Sequence, residues 1–236
     1  MKTRTNENDL GYIDQFPHPM YEPFIRMSCS TVINHTTPMY GPLLGAWAMA
    51  MPAFNILEIG IAQGWTSSAL AWAVLGSNNR YGMTGKYYGM DISDKTDLAE
   101  RMSKAEDING KVWQLPVEFI QDLRGSVEWL KDQKMFGPNF FDIIFIDGWH
   151  NVEYVKKEVA LCWPLLKGNG EGYMAHHDIY AYSEPIHKYM TDTYPVEAIR
   201  LLNNYGLGIY RKMDGYDHNK VFWPDGDQKE SDGWLT

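Results

Sequence analysis

Short runs of apolar, β-branched and aromatic residues alternate with helical stretches through most of this chain, and that alternation restricts the fold more than any other feature. The clearest run is Phe141-Asp142-Ile143-Ile144-Phe145-Ile146-Asp147. Apolar residues at successive positions mark a strand covered on both faces. Asn55-Ile56-Leu57-Glu58-Ile59-Gly60 is a second such run, and strands are expected at 86–92, 117–121 and 172–176. Between them helices are expected at 66–74 (with Thr66 as N-cap), 95–108, 126–133 and 184–190. Val152, Val155, Val159, Cys162 and Leu166 recur at three- and four-residue steps, the period of an amphipathic helix. Strands separated by helices imply crossover units and a mostly parallel sheet. The last two runs, 198–202 and 207–211, are divided only by Asn203-Asn204-Tyr205-Gly206, too short for a crossover, and predict an antiparallel hairpin. The expected fold is therefore α/β: a Rossmann-like seven-stranded sheet, mostly parallel, with an antiparallel C-terminal hairpin and helices on both faces.

Three segments follow: an N-terminal extension and helical cap at 1–54, the α/β domain at 55–212, and an acidic extension at 213–236. The 21 Lys and Arg against 30 Asp and Glu give a net charge of −9. A surface this acidic repels phosphate backbones and argues against nucleic-acid binding. Cys29 and Cys162 are too few for a disulfide framework. The polar start carries no apolar signal core, and the longest apolar stretch, 42–54, falls short of the ~20 residues that span a bilayer. The expectation is a soluble cytoplasmic protein with no membrane partner, free to form a homo-oligomer.

Ligands of open α/β sheets collect at the carboxyl ends of the strands. Strand one ends in Glu58-Ile59-Gly60-Ile61-Ala62-Gln63-Gly64, whose two glycines permit a tight turn and a close backbone approach. The spacing is not Gly-x-Gly-x-x-Gly, so the nicotinamide fingerprint is missing. Strand two ends at Asp91, where a carboxylate can accept two ribose hydroxyls. Strand three ends in Gln121-Asp122, able to meet an adenine edge or to cap a helix. Strand four ends in Asp147-Gly148-Trp149-His150 and strand five in His176-His177-Asp178. Asp147, His150, His177 and Asp178 can thus converge, and carboxylates with imidazoles suit a divalent ion, Mg²⁺ or a softer one such as Mn²⁺. Side-chain alternation sets a condition: His177 and Asp178 both ligate only if the strand has ended, and otherwise His176 shares a side with Asp178. Trp149 can wall the cofactor or the substrate. Trp65, Trp72, Trp113, Trp129 and Trp163 read as packing, and His18, His35, His187 and His218 as surface or loop residues.

Glu-x-Gly-x-x-x-Gly after strand one, an acid after strand two and a terminal hairpin resemble the class I S-adenosylmethionine-dependent methyltransferases over about residues 55–212. The resemblance implies that Gly60, Gln63 and Gly64 line the methionine part of the cofactor. It also implies that Glu58 supports that loop, that Asp91 holds the ribose and that Asp122 lies on the adenine side. The second half resembles metal-dependent O-methyltransferases acting on catechols and natural-product sugars. In that resemblance Asp147, His177 and Asp178 fall at metal positions and His150 at a base histidine; His177 stands where the family usually has a carboxylate. The expected reaction is methyl transfer to a hydroxyl of a small diol-bearing acceptor, with Asp147 and His150 as catalytic residues. Two rivals are a metal-dependent hydroxylase on the same scaffold and a non-catalytic cofactor-binding partner subunit.

Overall fold

The structure is a computed structural model and describes residues 40–51, 53–106, 110–177, 179–201 and 206–215. Its elements are α1 (Tyr40–Ala50), β1 (Ile56–Ile59), α2 (Trp65–Tyr81), β2 (Tyr87–Asp91), α3 (Thr96–Met102), β3 (Ala105–Glu106), β4 (Val112–Trp113), β5 (Val117–Gln121), α4 (Ser126–Asp132), β6 (Ile143–Ile146), α5 (Val152–Cys162), β7 (Tyr173–His177), α6 (Ile179–Thr193), β8 (Val196–Leu201) and β9 (Leu207–Lys212).

Seven strands form one sheet in the order β5-β2-β1-β6-β7-β9-β8. The pairs β5–β2, β2–β1, β1–β6 and β6–β7 are parallel, whereas β7–β9 and β9–β8 are antiparallel. The expected fold class and closing hairpin are both present. Alternation along β1 and β6 divides the core in two. Ile56, Ile143 and Phe145 pack toward α1 and α2 with Leu44, Leu70 and Trp72. Leu57, Ile59, Ile144 and Ile146 pack on the other face with Val155, Val159 and Cys162 of α5. Strand order reverses beside β1, which has β2 on one side and β6 on the other, and this is where an open sheet leaves a crevice.

Two local expectations are corrected. The helix expected at 95–108 is only α3, which ends at Met102; Ala105 and Glu106 then pair antiparallel with Trp113 and Val112. Trp113 anchors that small ribbon edge-on against Trp72, 6.3 Å between ring centroids. The N-cap of α2 is Gly64, in the left-handed conformation (φ 81), and not Thr66. That helix also runs beyond 74 to Tyr81, where Gly82 (φ 66) ends it. Asn151 caps α5, its side chain accepting from Tyr154 N at 3.1 Å. The extensions at 1–39 and 216–236 lie outside the described residues, as do Asp178 and Leu202.

Candidate active site

Gly60 turns the chain at the end of β1 with φ 86. A Cβ there would lie 2.3 Å from Asp147 O and 2.6 Å from Gly148 Cα, so the loops after β1 and β6 pack backbone on backbone. The contact is secured by Asp147 N donating to Ile59 O at 2.8 Å. Only glycine fits at 60, and its place in the sequence is explained. Gly64 has a different reason. A Cβ on it would meet Leu98 Cδ2 at 2.5 Å, so an α3 side chain fills the space on that side. Gln63 is exposed at the rim between them.

Asp91 ends β2 and braces this loop. Its Oδ2 accepts from Ile61 N at 2.9 Å and Ala62 N at 3.3 Å, and its Oδ1 from Ser93 N at 2.8 Å and Ser93 Oγ at 2.7 Å. Lys95 Nζ stands 3.3 Å from Oδ2 and donates to Ala62 O at 2.7 Å. Burial pushes the Asp91 carboxyl up, but the Ser93, Ile61 and Lys95 contacts outweigh it and hold the group below its ordinary range. Asp91 is ionised, and its acceptor positions are filled by the protein itself.

Glu58 is buried, with Tyr87 Oη donating to its Oε2 at 2.5 Å. Burial pushes its carboxyl up to about 8, against the Tyr87 hydrogen bond and with help from the charges of Asp147 and Asp91. A neutral carboxyl therefore lies beneath the loop near neutrality. Gly89 makes room for that contact, since a Cβ there would lie 2.7 Å from Tyr87 Oη. Tyr87 was missed in the sequence, although its two-residue step from Gly89 puts both on one face of β2.

Asp122 is committed elsewhere. Arg124 donates to it through Nη2 (2.7 Å) and Nε (3.0 Å), holding its carboxyl low, and Arg124 N donates to its Oδ1 at 2.9 Å. Gln121 Nε2 reaches Ile92 O at 3.3 Å. The side chains of Ile92 and Trp149 are exposed on this same edge.

The catalytic candidates do converge. Asp147, just past β6, has its Oδ1 3.1 Å from His177 Nδ1 and 3.5 Å from His150 Nε2. An acceptor-only carboxylate selects the His177 tautomer that carries its proton on Nδ1. Burial raises the Asp147 carboxyl, but hydrogen bonds from His150 and His177 and their charges lower it further, so the group is anionic. The Tyr40 ring meets His177 edge-on at 5.1 Å, so α1 covers the pair. His177 is buried and His150 half-exposed, with 38% of its side chain accessible. An inert floor and an open mouth result.

β7 continues through His177, and alternation decides between the two histidines. His176 points to the opposite face, edge-on to Tyr210, and neither ring nitrogen finds a hydrogen-bond partner among the described residues. Burial pushes its imidazole down to about 3, so it stays neutral. Among the described residues no set of three His, Cys, Asp or Glu side chains is arranged to hold a metal, and Asp178, the third expected ligand, lies outside them. Trp72, Trp129 and Trp163 are buried as packing residues. A cleft of roughly 550 Å³, lined by Asn139, Lys167, Asn169, Glu171, Lys212 and Asp214, opens among the segments before β6 and β7 and at the end of β9, and none of these groups lines it.

A seven-stranded sheet with its reversal beside β1, a glycine turn, an ionised acid after β2 and a carboxylate–histidine cluster after β6 together define the S-adenosylmethionine-dependent methyltransferase fold. The chain belongs to the family described as "Methyltransferase domain", which matches residues 57–179. Among solved structures it is similar to the O-methyltransferase TomG from Streptomyces achromogenes, involved in tomaymycin synthesis and bound to S-adenosylmethionine. Identity is 18% with a TM-score of 0.61, covering 90% of this chain and 100% of that one. The S-adenosylhomocysteine-bound methyltransferase PaMTH1 of Podospora anserina is 14% identical, TM-score 0.57, covering 91% and 99%. An O-methyltransferase from Bacillus cereus, also with S-adenosylhomocysteine, is 17% identical, TM-score 0.54, covering 86% and 96%. No curated protein sequence matches the chain. No described helix is long and apolar enough to cross a membrane.

Proposed function

We propose that the protein transfers the methyl group of S-adenosylmethionine to a hydroxyl oxygen of a small diol-bearing acceptor, a sugar or a catechol-like ring. The observation that carries this reading is the cluster of Asp147, His150 and His177 packed directly against the glycine turn. The S–CH₃ bond of the sulfonium breaks as the O–CH₃ bond forms, and S-adenosylhomocysteine leaves. The protein's tasks are then to align the oxygen and to receive its proton. His150 is half-exposed, so it can reach an acceptor while Asp147 stabilises the imidazolium that forms. His177 is buried and holds Asp147 in orientation. The ribose hydroxyls are read onto Asp91, and because its acceptor sites are taken, they must displace Ser93 Oγ or the Lys95 ammonium.

A divalent ion at the same edge is part of this proposal. Asp147 Oδ1 and His177 Nδ1, 3.1 Å apart, share a hydrogen bond, so an ion there would have to replace the Nδ1 proton. With Asp178 these two would hold the ion, which would lower the pKa of a bound hydroxyl. The oxidative rival has no support from membership of a methyltransferase family.

The test is transfer of radiolabelled methyl from S-adenosylmethionine to catechol, with and without excess chelator. Metal-assisted transfer predicts activity lost in chelator and restored by Mg²⁺ or Mn²⁺, with cofactor binding retained throughout. Full activity in chelator would remove the metal and leave His150 as the base. No transfer to any diol in the presence of added metal would overturn the assignment of the acceptor.

A further inference from the structure

Glu158 on α5 is wholly buried, a costly place for a carboxyl. The hydroxyl of Ser126, the first residue of α4, donates to Glu158 Oε1. The same oxygen lies 3.6 Å from the position a Cβ on Gly148 would occupy. One atom thus holds the first turn of α4 and lies beside Gly148 in the loop after β6. Oε2 has no hydrogen-bond partner among the described residues.

One turn earlier on α5, Tyr154 reaches to the same place. Its hydroxyl accepts from Val127 N at 3.2 Å and lies 3.3 Å from Ser126 Oγ. The N-cap of α4 is Gly125, which has no side chain to serve as a cap. A Cβ on it would lie 2.6 Å from Tyr154 Oη, so α5 supplies the missing acceptor across the gap. The Tyr154 ring also supports exposed Trp149, with centroids 5.0 Å apart. Residues four apart on a helix share a face, so the two side chains act as one clamp.

We propose that Glu158 and Tyr154 are positioning residues that lock the 147–151 loop, with Trp149 and His150 on it, against the first turn of α4. The catalytic consequence rests on the methyl-transfer reading, because the group held in place is the base. Burial raises the Glu158 carboxyl to about 7, opposed by the Ser126 hydrogen bond and by His150, but Oε1 accepts from Ser126 in either protonation state. The tether is therefore present on both sides of neutrality and is stronger to the ionised carboxylate.

The test uses the full chain labelled with 5-fluorotryptophan, the ¹⁹F resonance of Trp149 being assigned through Trp149→Phe. Ser126→Ala and Glu158→Leu each remove the hydrogen bond and are expected to shift or broaden that resonance. Glu158→Gln keeps an accepting oxygen and is expected to restore the wild-type position. With catechol as the probe acceptor, Ser126→Ala should lower kcat roughly 10- to 100-fold, the effect of a small misplacement, while KM for S-adenosylmethionine changes less than twofold. The double variant should lose no more than Ser126→Ala, since both changes remove one interaction. An unmoved resonance in Ser126→Ala and Glu158→Leu overturns the tether, as does a displacement in Glu158→Gln equal to that in Glu158→Leu. If Glu158→Leu does not fold, Ser126→Ala and Glu158→Gln decide the question alone. Absence of turnover by the wild type would count against the methyl-transfer reading, whereas the ¹⁹F comparison judges the tether independently.

Discussion

His177 Nδ1 and Asp147 Oδ1 stand 3.1 Å apart across neighbouring parallel strands, one step beyond the register pair Ile146–His176. The buried imidazole fixes the carboxylate, and the carboxylate in turn faces His150 at 3.5 Å. Both histidines bear on a single oxygen, but only the half-exposed one can meet a substrate. The proposed division of roles between holding and reacting rests on that difference in exposure.

His150→Ala should therefore lower methyl transfer by about 10²–10⁴-fold, the usual contribution of a positioned base. Cofactor affinity should stay nearly unchanged. Steady-state kinetics paired with calorimetry on one preparation checks this. Normal turnover together with a lowered Tm would reduce His150 to a packing residue beside Asn151, the cap of α5.

Gly64→Val tests whether packing against Leu98 is what requires this glycine. The left-handed backbone costs ~1–2 kcal/mol for a residue with a Cβ, and displacing Leu98 adds ~1–3 kcal/mol of overpacking. Thermal denaturation should show a Tm lowered on the order of 10 °C. A variant with wild-type Tm that has lost cofactor binding would return Gly64 to the ligand surface.

Two buried groups tilt stability with pH in opposite directions. The folded pKa of Glu58 is raised to about 8 from 4.5, so the native state keeps a proton that the unfolded chain releases, and stability falls as pH rises through that window. His176 is lowered to about 3 from 6.5, so the unfolded chain gains a proton first, and stability falls as pH drops below 6.5. Glu58→Gln keeps an acceptor for Tyr87 and should gain stability relative to wild type between pH 5 and pH 8. His176→Phe should flatten the acid side. Urea melts at a series of pH values measure both, and parallel curves for wild type and Glu58→Gln would mean that the carboxyl is ionised in the fold.

The sheet was legible in the sequence because doubly buried strands such as 143–146 are apolar at every position, and the hairpin because four residues cannot build a crossover. The β3–β4 ribbon was not, since two-residue strands carry no period. At the site, the strand-end rule brought Asp147, His150 and His177 together, and alternation was the right criterion for separating His177 from His176. What the sequence concealed were requirements set by distant partners. The shape of Gly64 is dictated by Leu98, and the partners of Glu58 and Glu158 are a tyrosine on another strand and a serine on another helix. No local pattern encodes such pairs.

The most direct test of the whole account is a calorimetric titration of S-adenosylmethionine into the wild-type chain and Asp91→Ala. Asp91 braces the loop after β1 through Ile61 N and is the group assigned to the ribose. The account predicts one site per chain, weakened in the variant by about 1.5–3 kcal/mol, the worth of hydrogen bonds to a charged group, or ~10- to 100-fold in Kd. A wild-type chain that takes up no S-adenosylmethionine, or an Asp91→Ala chain that binds it equally well, would contradict it.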